Sequence, residues 1–192
     1  MNKQRKKPIK LALQGGGSHG AFAWGVLDRL LEDERLHISA VSGTSAGAMN
    51  AVALADGMTR GGPAGARECL EKFWRATSAA AQYSPVRRSL FDIFMGNWSL
   101  DASPSYILMD HLSRVLSPYD LNPANFNPLR DVLARCIDFD SVNDRHGLKL
   151  FLTATNVRTG KPKIFRQPEI ELDSVMASAC LPFLFKAVEI DG

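Results

Sequence analysis

Ala40-Val41-Ser42-Gly43-Thr44-Ser45-Ala46-Gly47 is the stretch whose reading decides the fold. It holds a G-x-S-x-G pentapeptide, residues 43–47, between an apolar run and a run of small helix-forming residues. A serine on a sharp strand-to-helix turn presents its oxygen to a site, and small neighbours let the turn close. Alone, the pentapeptide also fits an ordinary Gly/Ser turn, because its residues are common. Its surroundings must decide.

Working outward, the chain alternates. Ile9-Lys10-Leu11-Ala12-Leu13-Gln14 has the pattern of a short strand. Gly15-Gly16-Gly17-Ser18-His19-Gly20 follows at once. Next comes a helix whose Phe22, Val26, Leu27, Leu30 and Leu31 are spaced as a core-facing stripe. A second strand, from about His37 to Ser42, feeds the serine turn, and Ala48, Met49, Ala51, Val52, Leu54 and Ala55 continue as a tightly packed helix. Asp56-Gly57 is expected to end that helix, since glycine is favoured just past a helix C-terminus. Strand, glycine loop, helix, strand, serine turn, helix is the order of an α/β fold with a mostly parallel central sheet flanked by helices.

Residues 59–65 read as a glycine- and proline-bearing loop, and 66–81 as a helix with Leu70, Phe73 and Trp74 on its apolar side. From Tyr83 to Asn127 prolines break the pattern. Leu90-Phe91-Asp92-Ile93-Phe94-Met95 and Tyr106-Ile107-Leu108-Met109 suit either short core helices or a lipid-facing cap. Beyond them the pattern gives a helix over 129–135, strands over 149–155 and 162–165, a helix over 173–180 and a last strand over 185–190.

A chain of 192 residues suffices for one domain with a real core, and 45% hydrophobic with 22% charged residues is an ordinary globular mixture. The net charge of +3 is spread along the chain and implies no nucleic-acid partner. Lys3, Arg5, Lys6 and Lys7 form one basic cluster. Residues 1–8 are read as a flexible basic tail and 9–192 as one domain; the tail suits solvent first and an anionic membrane surface second. No apolar run of about seven or more residues follows the tail, as a signal peptide would need, and no stretch approaches the ~20 apolar residues of a membrane span. Cys69, Cys136 and Cys180 are widely spaced and form no metal-binding pair. Free thiols in a reducing compartment are expected, hence a cytoplasmic protein that is soluble or peripheral at a membrane.

Gly15-x-Gly17-x-x-Gly20 fits a dinucleotide fingerprint letter by letter. Such a site also wants an acidic residue about 20 positions on, to hold a ribose, and the second strand ends Val41-Ser42-Gly43 instead. A P-loop fails because Ala21-Phe22 follows Gly20. Consecutive glycines opening a helix can instead aim backbone N–H groups at a negative charge. Attack of a serine on an ester creates an oxyanion that needs such donors. Parallel neighbouring strands bring the glycine loop and the serine turn to one carboxyl edge of the sheet, so two weak motifs make one constellation. The histidines, His19, His37, His111 and His146, give Ser45 no well-placed base, which gives weight to a carboxylate in that role.

In their order and spacing, the glycine loop, the serine turn, Ala154-Thr155-Asn156 with Thr159-Gly160, and Ala177-Ser178-Ala179-Cys180-Leu181-Pro182 with Phe185 resemble the patatin-like phospholipases. The resemblance runs from Leu11 onward. It implies a three-layer α/β domain and hydrolysis of lipid acyl esters through a Ser–Asp dyad. Ser45 would be the nucleophile, Gly43, Thr44, Ala46 and Gly47 its elbow, and Gly15, Gly16 and Gly17 the oxyanion hole. It implies no metal and no organic cofactor. The family usually carries Arg or Lys where this chain has His19, which is therefore read as shaping the loop only. The family's aspartate lies in an Asp-Gly-Gly or Asp-Gly-Ala motif. Asp191-Gly192 has the form of the hairpin turn that commonly precedes it, so the aspartate is expected beyond Gly192, with Asp191 itself the second candidate, and the domain over 9–192 is expected to be incomplete at its C-terminus. Without that remainder, which a separate chain could also supply, little turnover is expected. A carboxylesterase of α/β-hydrolase type with a downstream acid and histidine, and a non-catalytic lipid-binding relative, are the other readings.

Overall fold

Apolar residues at every second position make β1 (Lys7–Leu13) a half-buried strand that starts two residues before the sequence pattern does. The computed structural model describes residues 6–82, 107–108, 111–112, 115–144 and 147–190. Leu90 to Met95, Tyr106, Met109, His146, Asp191 and Gly192 lie outside them. After a 3-10 turn (Gly17–His19) come α1 (Gly20–Leu31), β2 (Leu36–Gly43) and the long α2 (Ala46–Ala81). Then follow α3 (Pro118–Leu121), α4 (Pro128–Cys136), α5 (Phe139–Val142), β3 (Lys149–Thr155), β4 (Pro162–Arg166) and α6 (Leu172–Ser178).

The sheet order is β1-β2-β3-β4, with the first three strands parallel and β4 antiparallel to β3. Register places Val41 between Leu11 and Leu150, and Gly43 between Leu13 and Leu152. One extra residue, Ser39, bulges β2 against β1, and its hydroxyl donates to the Ile9 carbonyl at 3.0 Å. The mostly parallel α/β sheet flanked by helices is thus the expected fold class.

Val41, Leu150 and Leu152 join Leu27, Leu54, Leu70, Phe73 and Val175 in one core. Burying each such side chain contributes about 1.5–3 kcal/mol before entropic costs. No helix among the described residues is long and apolar enough to cross a membrane.

Four sequence expectations change. The stripe of α1 is rotated: Leu27 is buried and Trp24 and Leu31 pack on the core, whereas Phe22 is 80% and Val26 45% exposed. Gly20, one and two turns before Trp24 and Leu27, sets this rotation by pressing the helix start onto Ala46 and Trp74; a Cβ there would fall 2.8 Å from Ala46 Cβ and 2.9 Å from the Trp74 ring. Phe22 and Val26 instead form, with Ala21, Gly25, Arg29 and Leu30, an open apolar strip.

Secondly, α2 does not end at Asp56-Gly57. Asp56 is fully buried and accepts from Arg60 one turn on (2.7 Å), from the Cys69 thiol (3.4 Å) and from the Asp138 amide (3.2 Å), which favours continuation. Thirdly, the expected loop over 59–65 shrinks to a bend at Gly61 and Gly62, after which Pro63 is again helical. The second arm folds back so closely that Gly57 abuts Gly65 and Ala66. Arg67 on this arm grips Asp28 of α1 with two bonds of 2.7 and 3.1 Å, and its guanidinium holds the Asp28 carboxyl below the usual range. The pair is partly exposed, so solvent screens it and it adds little stability.

Lastly, residues 185–190 form no strand. Lys186 is held by loop partners, its amide donating to Asn125 Oδ1 (3.2 Å) and its ammonium to the Pro123 carbonyl (2.7 Å).

Candidate active site

Because Leu13 pairs with Gly43, β1 and β2 stop side by side at their carboxyl ends. The next residues of each are the two turns singled out in the sequence. The Thr44 amide donates to the Leu13 carbonyl at 3.2 Å, extending the pairing one rung into the serine turn. Ser45 then adopts φ 56°, ψ −123°. A side chain in this sparsely populated region costs of order 1–3 kcal/mol, and the surroundings must over-determine it.

They do so from several sides. The amides of Gly47 and Ala48 donate to the carbonyls of Thr44 and Ser45, each at 2.9 Å, starting α2. Gly47 lies so close to Leu13 and Gln14 that a Cβ would run into their carbonyls. The Ser45 amide donates to Ser178 Oγ at 2.8 Å, and Ser178 Oγ donates to the Thr153 carbonyl near the end of β3 at 2.7 Å.

The glycine loop lies against this turn. A Cβ on Gly15 would fall 3.0 Å from Ser45 Cβ, 3.2 Å from the Thr44 carbonyl and 3.6 Å from Ser45 Oγ. A side chain here would press on Ser45 Cβ and the Thr44 carbonyl, so glycine lets the loop backbone lie this near the serine. Gly16 and Gly17 turn the chain with φ of 154° and 56°. His19 closes the loop: its amide donates to the Gly16 carbonyl at 3.1 Å, and its Nδ1 lies 3.0 Å from the same oxygen. A carbonyl only accepts, so Nδ1 carries a proton there.

The loop leads into α1, whose start is pinned from below. Asn50 is fully buried; its amide nitrogen donates to the Gly20 carbonyl (2.9 Å) and its oxygen accepts from Trp74 Nε1 (2.8 Å). One side chain thus joins the start of α1 to both arms of α2. Sequence reasoning gives Asn50 no role and sees Ser178 only as part of a resemblance. A lone amide among small buried residues, with a tryptophan on the neighbouring helix, is the one signal that could have marked the first.

Other chemistry recedes. Burial, reinforced by the Asp56 carboxylate, pushes the Cys69 thiol up to about 12, and burial also raises Cys180, so neither is a thiolate nucleophile at neutral pH. His37 pairs with Pro8 at the amino end of the strands, away from Gly43. Among the described residues no carboxylate hydrogen-bonds the Ser45 hydroxyl. Asp191 lies outside them.

Comparison with known proteins adds a family. The chain is similar to ExoU in its heterodimeric complex with SpcU from the type III secretion system of Pseudomonas aeruginosa, with 19% identity over 92% of this chain and a TM-score of 0.40. It is also similar to VipD from Legionella pneumophila, with 17% identity over 95% of this chain and a TM-score of 0.46. It spans 36% and 43% of those two chains. No curated protein matches it significantly. The family model described as patatin-like phospholipase matches residues 11–192. With almost its whole length matched, the chain belongs to the patatin-like phospholipase family.

Proposed function

We propose that the chain carries the nucleophile and oxyanion hole of a serine hydrolase that cleaves lipid acyl esters, of phospholipase A or lipid esterase type. The observation that carries this reading is the approach of Gly15 to Ser45: the nucleophile and a loop of glycine amides share one sheet edge. Ser45 Oγ attacks the acyl carbonyl and the ester C–O bond breaks, leaving an acyl-enzyme and a released alcohol. Amides of Gly15, Gly16 and Gly17 hold the oxyanion, each such donor contributing roughly 3–4 kcal/mol to the lowering of the barrier. The start of α2 immediately after Ser45 adds favourable partial charge. An aspartate takes the Ser45 proton, gives it to the departing alcohol, and then accepts a proton from the water that releases the fatty acid. We read His19 as shaping the donor loop, through the bonds of its amide and Nδ1 to the Gly16 carbonyl.

A fluorophosphonate probe applied to the full-length protein is expected to label Ser45, and Ser45→Ala to abolish both labelling and hydrolysis of phospholipid vesicles or nitrophenyl esters. Absence of labelling in the folded wild-type protein would favour a non-catalytic lipid-binding role.

A further inference from the structure

We propose that Ser178 is a positioning residue for the nucleophile, a role that rests on the hydrolase reading above. Its hydroxyl sits between two backbone groups, accepting from the Ser45 amide at 2.8 Å and donating to the Thr153 carbonyl at 2.7 Å. A hydroxyl can do both at once; alanine can do neither. The relay ties the most strained residue of the serine turn to β3, the neighbour of β2 in the sheet.

This clamp differs from the other bonds of the turn. Those of Thr44, Gly47 and Ala48 reach Leu13 or stay within the turn. The bond to Ser178 comes from a helix 133 residues away and takes the amide of the nucleophile itself. Its geometry assigns two effects. It opposes relaxation of φ at Ser45 toward ordinary values, which would swing Oγ away from the glycine loop. It also commits the Ser45 amide to Ser178, leaving stabilisation of the oxyanion to other donors, foremost the loop amides.

Helix α6 is itself anchored at both ends, as a positioning element must be. At its start Asp173 pairs with Arg130 of α4 and Ser174 Oγ accepts from the Glu171 amide at 3.2 Å; just beyond its end the Cys180 thiol donates to the Lys186 carbonyl at 3.4 Å.

The test compares wild-type, Ser178→Ala and Ser178→Thr forms of the full-length protein. It reads kcat and KM on a soluble nitrophenyl ester, thermal unfolding, and exchange of the Ser45 amide proton by NMR. Ser178→Ala is expected to lower kcat about 10- to 100-fold with KM within about twofold. It should also speed exchange of the Ser45 amide at least tenfold while the Gly47 and Ala48 amides stay protected. Ser178→Thr, which keeps the hydroxyl, should restore both readouts to within about threefold. Wild-type Ser45 amide exchange in Ser178→Ala, or an unchanged kcat in an active enzyme, would overturn the proposal. A folded wild-type protein with no turnover would sink the hydrolase reading instead, and amide exchange would still decide the clamp.

Discussion

The two strand-to-helix turns at the sheet edge differ in how they are held. The serine turn is buried or half-buried at four of its five positions, strained at Ser45, and fastened to β1, to the start of α2 and, through Ser178, to β3. The glycine loop is exposed at Gly16, Gly17, Ser18 and His19, and its fastenings are mostly local: His19 to the Gly16 carbonyl, the Gly20 amide to the Gly17 carbonyl, and Asn50 at the loop's exit. Such a division suits acyl transfer: the attacking atom must be placed closely, whereas amide donors must fit an oxyanion that exists only during reaction. The contrast teaches which turn yields when the two are forced together.

Gly15→Ala forces them together. With Ser45 Cβ only 3.0 Å from the new methyl group and the serine turn tied down, the glycine loop must move. The expected result is a loss of kcat/KM of about 10²-fold on a nitrophenyl ester, with a melting temperature close to wild type. A large drop in melting temperature at undiminished turnover would invert the comparison.

Asn50→Ala attacks the support beneath both turns. It leaves the Gly20 carbonyl and Trp74 Nε1 without their recorded partner in a buried position. Urea unfolding should show a loss of about 2–4 kcal/mol at unchanged m-value. A loss below about 0.5 kcal/mol would show that the glycine loop's exit stands without this bond.

The smallest effect sharpens the claim of strain. Ser45→Gly and Ser45→Ala both remove the hydroxyl, but only glycine accepts φ 56°, ψ −123° without penalty. The glycine form should be the more stable of the two by about 1 kcal/mol. Equal stability would mean that the turn relaxes once the hydroxyl is gone.

What is legible in the sequence follows the range of the forces involved. The glycine loop, the serine turn and the parallel strands before them are written in local patterns, because each depends on residues within a few positions. The rotation of α1 is not, since it depends on Gly20 meeting Ala46 and Trp74. Continuation of α2 past Gly57 depends on Asp138 and Cys69, and the failure of residues 185–190 to join the sheet on Asn125 and Pro123. Catalytic roles for Ser45 and the glycine loop rest on their meeting at one edge and await the labelling experiment.

The bend at Gly61 and Gly62 also bears on the order in which the molecule is assembled. It lets the arms of α2 meet between Asn50 and Trp74, only 24 residues apart, while Ser45 meets Ser178 across 133. Closing the longer loop costs about 1.5 kcal/mol more in chain entropy. Loop entropy thus favours building the scaffold beneath the serine first and clamping the serine last. A half-made chain would then hold Ser45 without its final geometry, and under the proposed function the serine would stay idle until the fold is whole.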